Sequence, residues 1–220
     1  MNKSNTQKAF TLTETLISLA IIGVIAAITV PVLFDFLESK HHKAMWKSQF
    51  SDFSRILIQM KNENNNSLET YIGSSGSLIK NVSAYLGLIK ELSYPEAIYG
   101  EKTNPAFNYV DMSGQKMNYE LFDDGQMILS NGVFIAFENM ATSTSAILWV
   151  DTNGYMKPPN MLGKDLFGIH ILEDKIIPLG SDYSVAKNSC NKNPLTVSPV
   201  GNTHNSPFAG ASCSTTYLIE

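Results

Sequence analysis

The chain has 220 residues, of which 44% are hydrophobic and 16% charged, and its formal net charge is −4 at pH 7. This length and composition allow one or two domains with a real hydrophobic core and exclude wholesale disorder. The acidic balance also argues against a nucleic-acid partner, because phosphate binding requires a clustered basic surface. Protein partners are therefore expected.

The amino terminus contains a candidate membrane helix. Residues 1–9 are polar, with Lys3 and Lys8 as their only charges, and the 20 residues 15–34 carry no charge. At ~1.5 Å per residue, such a helix is about 30 Å long, which matches a bilayer core. Because lysines that precede a span stay cytoplasmic, the body of the chain is expected on the far side of the membrane.

Three interpretations of this segment compete. A secretory signal peptide would be cut after small residues such as Ala26 and Ala27. A plain signal anchor would stay uncleaved. Neither explains Glu14, which lies at the entrance of the apolar run, because a carboxylate at the edge of the hydrocarbon is costly unless it has a partner. The third interpretation supplies that partner.

Residues 9–33 resemble the prepilin cleavage/methylation segment of type IV pilins and type II secretion pseudopilins. The resemblance rests on the short basic leader, the small residue Ala9, Phe10 as the first mature residue, Glu14 as the fifth, and an apolar helix that contains Pro31. It implies that a prepilin peptidase cuts between Ala9 and Phe10 and that Phe10 is then methylated. The family usually has glycine in place of Ala9. Alanine is the mildest steric replacement, so cleavage is still expected.

Glu14 is the predicted assembly residue. A neighbouring copy's free amine at Phe10 could meet its carboxylate, and opposite charges ~4 Å apart attract by about 4 kcal/mol at an effective dielectric near 20. Repeated between staggered copies, this contact is heterologous and open-ended, so it builds a filament. The alternative is a glutamate that only reaches the membrane interface. Pro31 removes an intrahelical hydrogen bond and predicts a kink or local unwinding, with or without a role in assembly.

The predicted organisation has four parts: a leader over 1–9, a transmembrane and assembly helix over 10–34, its amphipathic continuation over 35–62, and a globular head over 63–220. The continuation follows from apolar residues at helical spacing, and three asparagines at 64–66 stop it. The apolar positions are Leu37, Ala44, Phe50, Phe53, Leu57 and Met60. A second helix is expected over 77–92.

The head also shows β-type runs with turn signals between them. The runs are 119–122, 126–129, 133–137 and 146–150, and further strands are expected over 168–172 and 175–179. Asp124-Gly125, Asn131-Gly132 and Asn153-Gly154 mark turns, and closely spaced strands with tight turns predict an antiparallel meander. The fold class is therefore α+β, with a long amino-terminal helix packed on an antiparallel sheet, which is the pilin layout.

Cys190 and Cys213 lie in a tail rich in Ser, Asn, Pro and Gly. They favour one disulfide formed in an oxidising compartment, with two free thiols as the alternative. The bond would close a loop, which is worth on the order of 3 kcal/mol. Type IV pilins carry a carboxy-terminal disulfide-bounded loop that major pseudopilins generally lack, so the resemblance favours a pilin or minor pilin.

Asp151, Asn153 and Asp165 form a candidate calcium site, because they offer three hard oxygens. Major pseudopilins bind calcium in a loop of the head. The spacing is not that of an EF-hand, and Asx-turn capping explains the same residues without a metal. No other cofactor is expected. The adjacent His41 and His42 are predicted to be solvated.

The sequence predicts no enzyme, because it has no nucleophile elbow, P-loop, dinucleotide fingerprint or zinc-binding pair. The predicted function is a structural subunit of a type IV pilus-like or type II secretion filament. The alternative is a membrane-anchored binding or adhesive module on a pilin-type anchor. Implied partners are other subunits, a prepilin peptidase, an assembly platform protein with its ATPase, and membrane lipid. Before assembly the chain should cross the cytoplasmic membrane once, with the head in the periplasm or outside.

Overall fold

A computed structural model describes residues 11–72, 77–86, 89–92, 109–139, 145–181, 190, 196–197, 206–207 and 209–220. The chain divides into two compact units, Met1–His41 and His42–Glu220. The predicted leader and the predicted cleavage site between Ala9 and Phe10 lie outside the described residues, so both stay predictions.

Helix α1 spans Leu12–Glu63. Within the first unit every residue of 11–41 is exposed, and the large apolar side chains from Leu12 to Leu37 are 45% to 78% exposed. Among the described residues, α1 is the one helix whose length and composition suit a membrane span. The helix continues through Pro31 without a break, so the predicted local unwinding is not seen in this structure.

In the second unit, α1 buries one face against the sheet. The buried residues recur every three or four positions, which places them on one side of the helix. They are His42, Trp46, Gln49, Phe53, Ile56, Leu57 and Met60. The sequence predicts Leu37 and Ala44 on this face, but both are exposed. Trp46 takes that place, because its ring stacks on Phe167 with centroids 5.0 Å apart.

Short helices follow the end of α1. Asn65 and Asn66 have φ angles of 51° and 62°, a left-handed conformation that asparagine tolerates better than most residues. Helices α2 (Glu69–Ile72) and α3 (Ser77–Leu86) come next. The helix predicted over 77–92 is therefore too long. Residues 89–92 pair instead with residues 126–129 as a β-strand. Pairing between distant residues thus overrides the local helical pattern.

Six strands form an antiparallel sheet in sequence order, which confirms the predicted antiparallel meander but adds β1, a strand that was not predicted. They are β1 (Ile89–Leu92), β2 (Gly125–Leu129), β3 (Phe134–Asn139), β4 (Ser145–Asp151), β5 (Leu166–Leu172) and β6 (Ile176–Pro178). The strand predicted at 119–122 is wrong. Tyr119–Phe122 is a 3₁₀ helix, because the Asn118 side chain accepts a hydrogen bond from the backbone N–H of Glu120. The pair β7 (Thr196–Val197) and β8 (Ser206–Pro207) and helix α4 (Cys213–Ile219) complete the described elements.

Side chains alternate between the two faces along each strand, and β3, β4 and β5 are buried on both faces. In β5, Phe167, Ile169 and Ile171 pack in the core that includes α1 residues. Trp149 of β4 faces the other way, into a second core under the segment 109–122. The head is thus an α+β structure in which a long helix packs on an antiparallel sheet.

Candidate functional site

The start of α1 holds Glu14 in a reciprocal pair with Thr11. Oε2 of Glu14 accepts hydrogen bonds from the backbone N–H and from Oγ1 of Thr11, both at 2.8 Å. The backbone N–H of Glu14 donates back to Oγ1 of Thr11 at 3.2 Å. This arrangement is a capping box, with threonine just before the helix and glutamate at its third residue. It holds the carboxylate of Glu14 at the amino-terminal end of the helix.

The polar side chains of the uncharged residues 15–34 form hydrogen bonds to the backbone of their own helix. Thr15 and Ser18 each donate their hydroxyl to the carbonyl four residues earlier, at 3.1 Å and 2.8 Å. Thr29 does the same to Ile25 at 3.0 Å. These three are the only hydroxyl side chains in residues 15–34. None of them therefore presents an unsatisfied donor to a lipid environment, where an unpaired polar group is expensive.

Cys190 and Cys213 form a disulfide, as predicted. Cys213 is fully buried at the first position of α4, whereas Cys190 is partly exposed. Sγ of Cys213 lies 3.6 Å from Sδ of Met112. The Tyr217 hydroxyl lies 3.4 Å from Sγ of Cys190. The bond therefore joins a half-buried part of the tail to a wholly buried one.

Asp111 is a structural residue that the sequence analysis missed. Its Oδ1 accepts hydrogen bonds from the N–H and hydroxyl of Ser113 and from the N–H of Gln115. Its Oδ2 accepts from the N–H of Ala209 at 3.0 Å, so it also fixes the carboxy-terminal segment. An aspartate two residues before Ser113-Gly114 is an Asx-turn signal that could have been read from the sequence.

The carboxy-terminal segment 209–220 also binds α1 and β5. Nε1 of Trp46 donates to the carbonyl of Ser214 at 2.9 Å, and the backbone N–H of Gly168 donates to Oγ of Ser214 at 3.0 Å. Nζ of Lys43 lies 3.8 Å from the centre of the Tyr217 ring and 2.8 Å from Oε2 of Glu220. The segment is therefore an integral part of the head.

Asp151 and Asp165, two of the predicted calcium ligands, are buried and hydrogen-bonded to the protein itself. Asp151 accepts from the hydroxyl of Tyr109 and from the backbone N–H groups of Asn153 and Gly154. Burial, with a further contribution from the charge of Asp165, raises the pKa of Asp151 to about 7. The carboxylate of Asp151 therefore already accepts hydrogen bonds from the turn that follows it, as the Asx-capping alternative predicts.

Asp165 is bonded in the same way. Its two oxygens accept from the backbone N–H groups of Asn160 and Met161, at 2.8 Å and 2.7 Å. Burial raises the pKa of Asp165 as well, although these two hydrogen bonds act to lower it. The side-chain amide of Asn153 donates to the carbonyls of Lys157 and Pro158. Calcium binding at these residues stays a prediction.

His42 is buried, which corrects the prediction that it is solvated, whereas His41 is exposed. Nδ1 of His42 lies 2.7 Å from Oγ1 of Thr152. That hydroxyl donates its one proton to the carbonyl of Asp165 at 3.1 Å, so Nδ1 of His42 must be the donor to it. The side chain of His42, where the buried part of α1 begins, is thus bonded to the loop after β4.

One comparison with known proteins gives a match. A model of the prokaryotic N-terminal methylation motif matches residues 4–30, a range that includes Ala9, Phe10 and Glu14. This motif is the prepilin-type signal of type IV pilins and pseudopilins, so the resemblance drawn from the sequence is confirmed. No curated protein and no solved structure matches the chain.

Proposed function

We propose that this chain, which carries the prepilin-type signal, is a structural subunit of a type IV pilus-like or type II secretion filament. The observation that carries the proposal is Glu14, which the Thr11 capping box holds at the start of an exposed apolar helix. The same residue lies within the matched motif. A signal peptide or a simple anchor has no use for a carboxylate there, because it adds a cost without a partner.

The proposed assembly contact uses the carboxylate oxygen that the capping box leaves open. Oε2 of Glu14 accepts both bonds from Thr11, and no described residue donates to Oε1. After cleavage before Phe10, a neighbouring subunit's free amine would bind this carboxylate. Opposite charges in such a contact attract each other, and the attraction grows where little water screens them. Because the contact joins two different groups, the amine of one copy and the carboxylate of the next, it is heterologous and repeats along a filament.

The proposed partners follow from the same route. A prepilin peptidase matures the chain, membrane lipid holds the exposed apolar helix until assembly, and a platform protein with its ATPase extrudes the filament. Among filament types we favour a pilus with this chain as pilin or minor pilin. What supports this choice is the tail closed by Cys190 and Cys213.

The first test is the mature amino terminus. Mass spectrometry of the protein from cell membranes should find N-methylated Phe10 as the first residue. Replacing Ala9 by a bulky residue such as Leu should block cleavage, because the family has a small residue there, while Ala9→Gly serves as the permissive control. A mature chain that starts at Met1, or after Ala27, would contradict the proposal.

The second test separates the charge of Glu14 from its capping role. Glu14→Gln can still complete a capping box, since glutamine serves at this position, but it cannot pair with an amine. We expect the variant to insert and to be cleaved normally, yet to be absent from sheared fibres. Thr13→Ala, one residue away, is the control and should assemble. Normal incorporation of Glu14→Gln would refute the contact. A wild-type chain that is cleaved but never found in fibres would favour the anchored binding module.

A further inference from the structure

The two cysteines of the disulfide differ in exposure. Cys213 has no exposed surface, whereas Cys190 is partly exposed. A thiolate must reach the sulfur that it attacks, so exposure decides at which of the two atoms exchange begins.

The packing around Cys213 explains its burial. Sδ of Met112 lies 3.6 Å from its Sγ. Gly163 also borders the sulfur, because a Cβ added to that glycine would lie 2.8 Å from it. A thiolate that approached Cys213 would have to displace both groups.

We propose that thiol–disulfide exchange in the folded head takes place at Sγ of Cys190, and that Cys213 is the buried sulfur that closes the bond again. The co-reactant is a small thiol, or a dithiol oxidoreductase that presents its thiol on an exposed surface. This inference does not depend on the filament.

A thiolate attacks Sγ of Cys190, a new S–S bond forms, and the Cys190–Cys213 bond breaks with its electron pair on Cys213, which then takes up a proton. In the oxidising direction, the Cys190 thiolate attacks a disulfide and releases one thiol. Cys213 then attacks Sγ of Cys190 and releases the second thiol, so two electrons pass to the oxidant.

After opening, the backbone of Cys213 stays held in the head. The N–H of Cys213 donates to the carbonyl of Gly210 at 3.0 Å, and the next residue, Ser214, is bonded to both Trp46 and Gly168. A thiol held in place acts at a high effective concentration, so the bond should close again once the external thiol is removed.

The test locates the mixed disulfide on the native, full-length chain in detergent. The protein is incubated with reduced glutathione at pH 8, quenched in acid, digested with pepsin and analysed by mass spectrometry. We expect the glutathione adduct on Cys190 to exceed that on Cys213 by about ten-fold or more, because the buried sulfur is inaccessible. In guanidinium chloride the two adducts should be about equal, because both sulfurs are then exposed.

Two variants check the packing argument. Met112→Ala should raise the share of adduct on Cys213, whereas Met156→Ala, at a methionine that is 68% exposed, should leave it unchanged. Equal adducts in the native protein, a preference for Cys213, or a native protein that forms no adduct at all would each overturn the proposal. So would an unchanged ratio in Met112→Ala.

Discussion

Residues 12–41 and 42–63 belong to one helix, but the first part is exposed throughout while the second buries seven side chains. The first part is the more apolar, with no charge over 15–34, and the second carries several charges. Apolarity therefore does not decide which part is buried in this chain. The second part has a sheet to pack on, whereas the first finds no apolar partner among the described residues. An exposed apolar helix of this kind fits membrane anchoring and a filament subunit.

The largest expected effect appears when one side chain from each part of α1 is replaced and the stability of the head is compared. Trp46→Ala should lower the free energy of unfolding of the head by about 3–5 kcal/mol, because it leaves a cavity beside Phe167. It also leaves the Ser214 carbonyl without its donor. Ile22→Ala, at a side chain that is 61% exposed, should leave that free energy unchanged. Urea unfolding in detergent, followed by Trp149 fluorescence, measures both. Equal losses in the two variants would show that the two parts do not differ as described.

The second prediction concerns pH and applies only to the head. Burial of His170 in β5 lowers its pKa to about 4, from 6.5. The folded state thus holds fewer protons, so its contribution to stability is present above pH 6.5 and is lost as the pH falls towards 4. For a shift of this size the loss is about 3 kcal/mol. Asp151 has the opposite sign, because its pKa is raised from 3.8 to about 7. Its contribution is present below pH 3.8 and is lost as the pH rises through 7.

The two contributions therefore oppose each other over the range they share, and variants should separate them. In His170→Leu the free energy of unfolding should fall as the pH rises from 4 to 7, because Asp151 then dominates. In Asp151→Asn it should rise over the same range. Urea unfolding at several pH values measures this, and identical pH slopes in the two variants would contradict the assignment. Residues 12–41 bury no side chain, so the Ile22→Ala variant should keep the wild-type slope.

The sequence predicted the parts of the molecule that local patterns determine. Strands β2 to β6 follow from short β-type runs, some of them bounded by glycine turns, and Glu14 stands out because a charge in an apolar run is locally anomalous. Most of the errors come from contacts between distant residues. Nothing near residue 46 shows that Trp46 meets Ser214, and nothing near His42 shows that Thr152 will bury it. Residues 119–122 look like a strand, but the Asn118 cap makes them a 3₁₀ helix that still buries Leu121 and Phe122.

The smallest expected effect tests how the start of the exposed part is fixed. Thr11→Val keeps the shape of the side chain but removes the hydroxyl that bonds Glu14 in both directions. Loss of such a cap costs about 1 kcal/mol, so the first turn of α1 should open about five-fold more often. Amide hydrogen exchange of the full-length chain in micelles should show this at Glu14, with Thr11→Ser restoring protection. Because the buried face of α1 begins at His42, exchange there should not change. A spread of faster exchange beyond residue 41 would mean that the two parts of the helix are coupled, and that the capping box stabilises the head as well as the exposed segment.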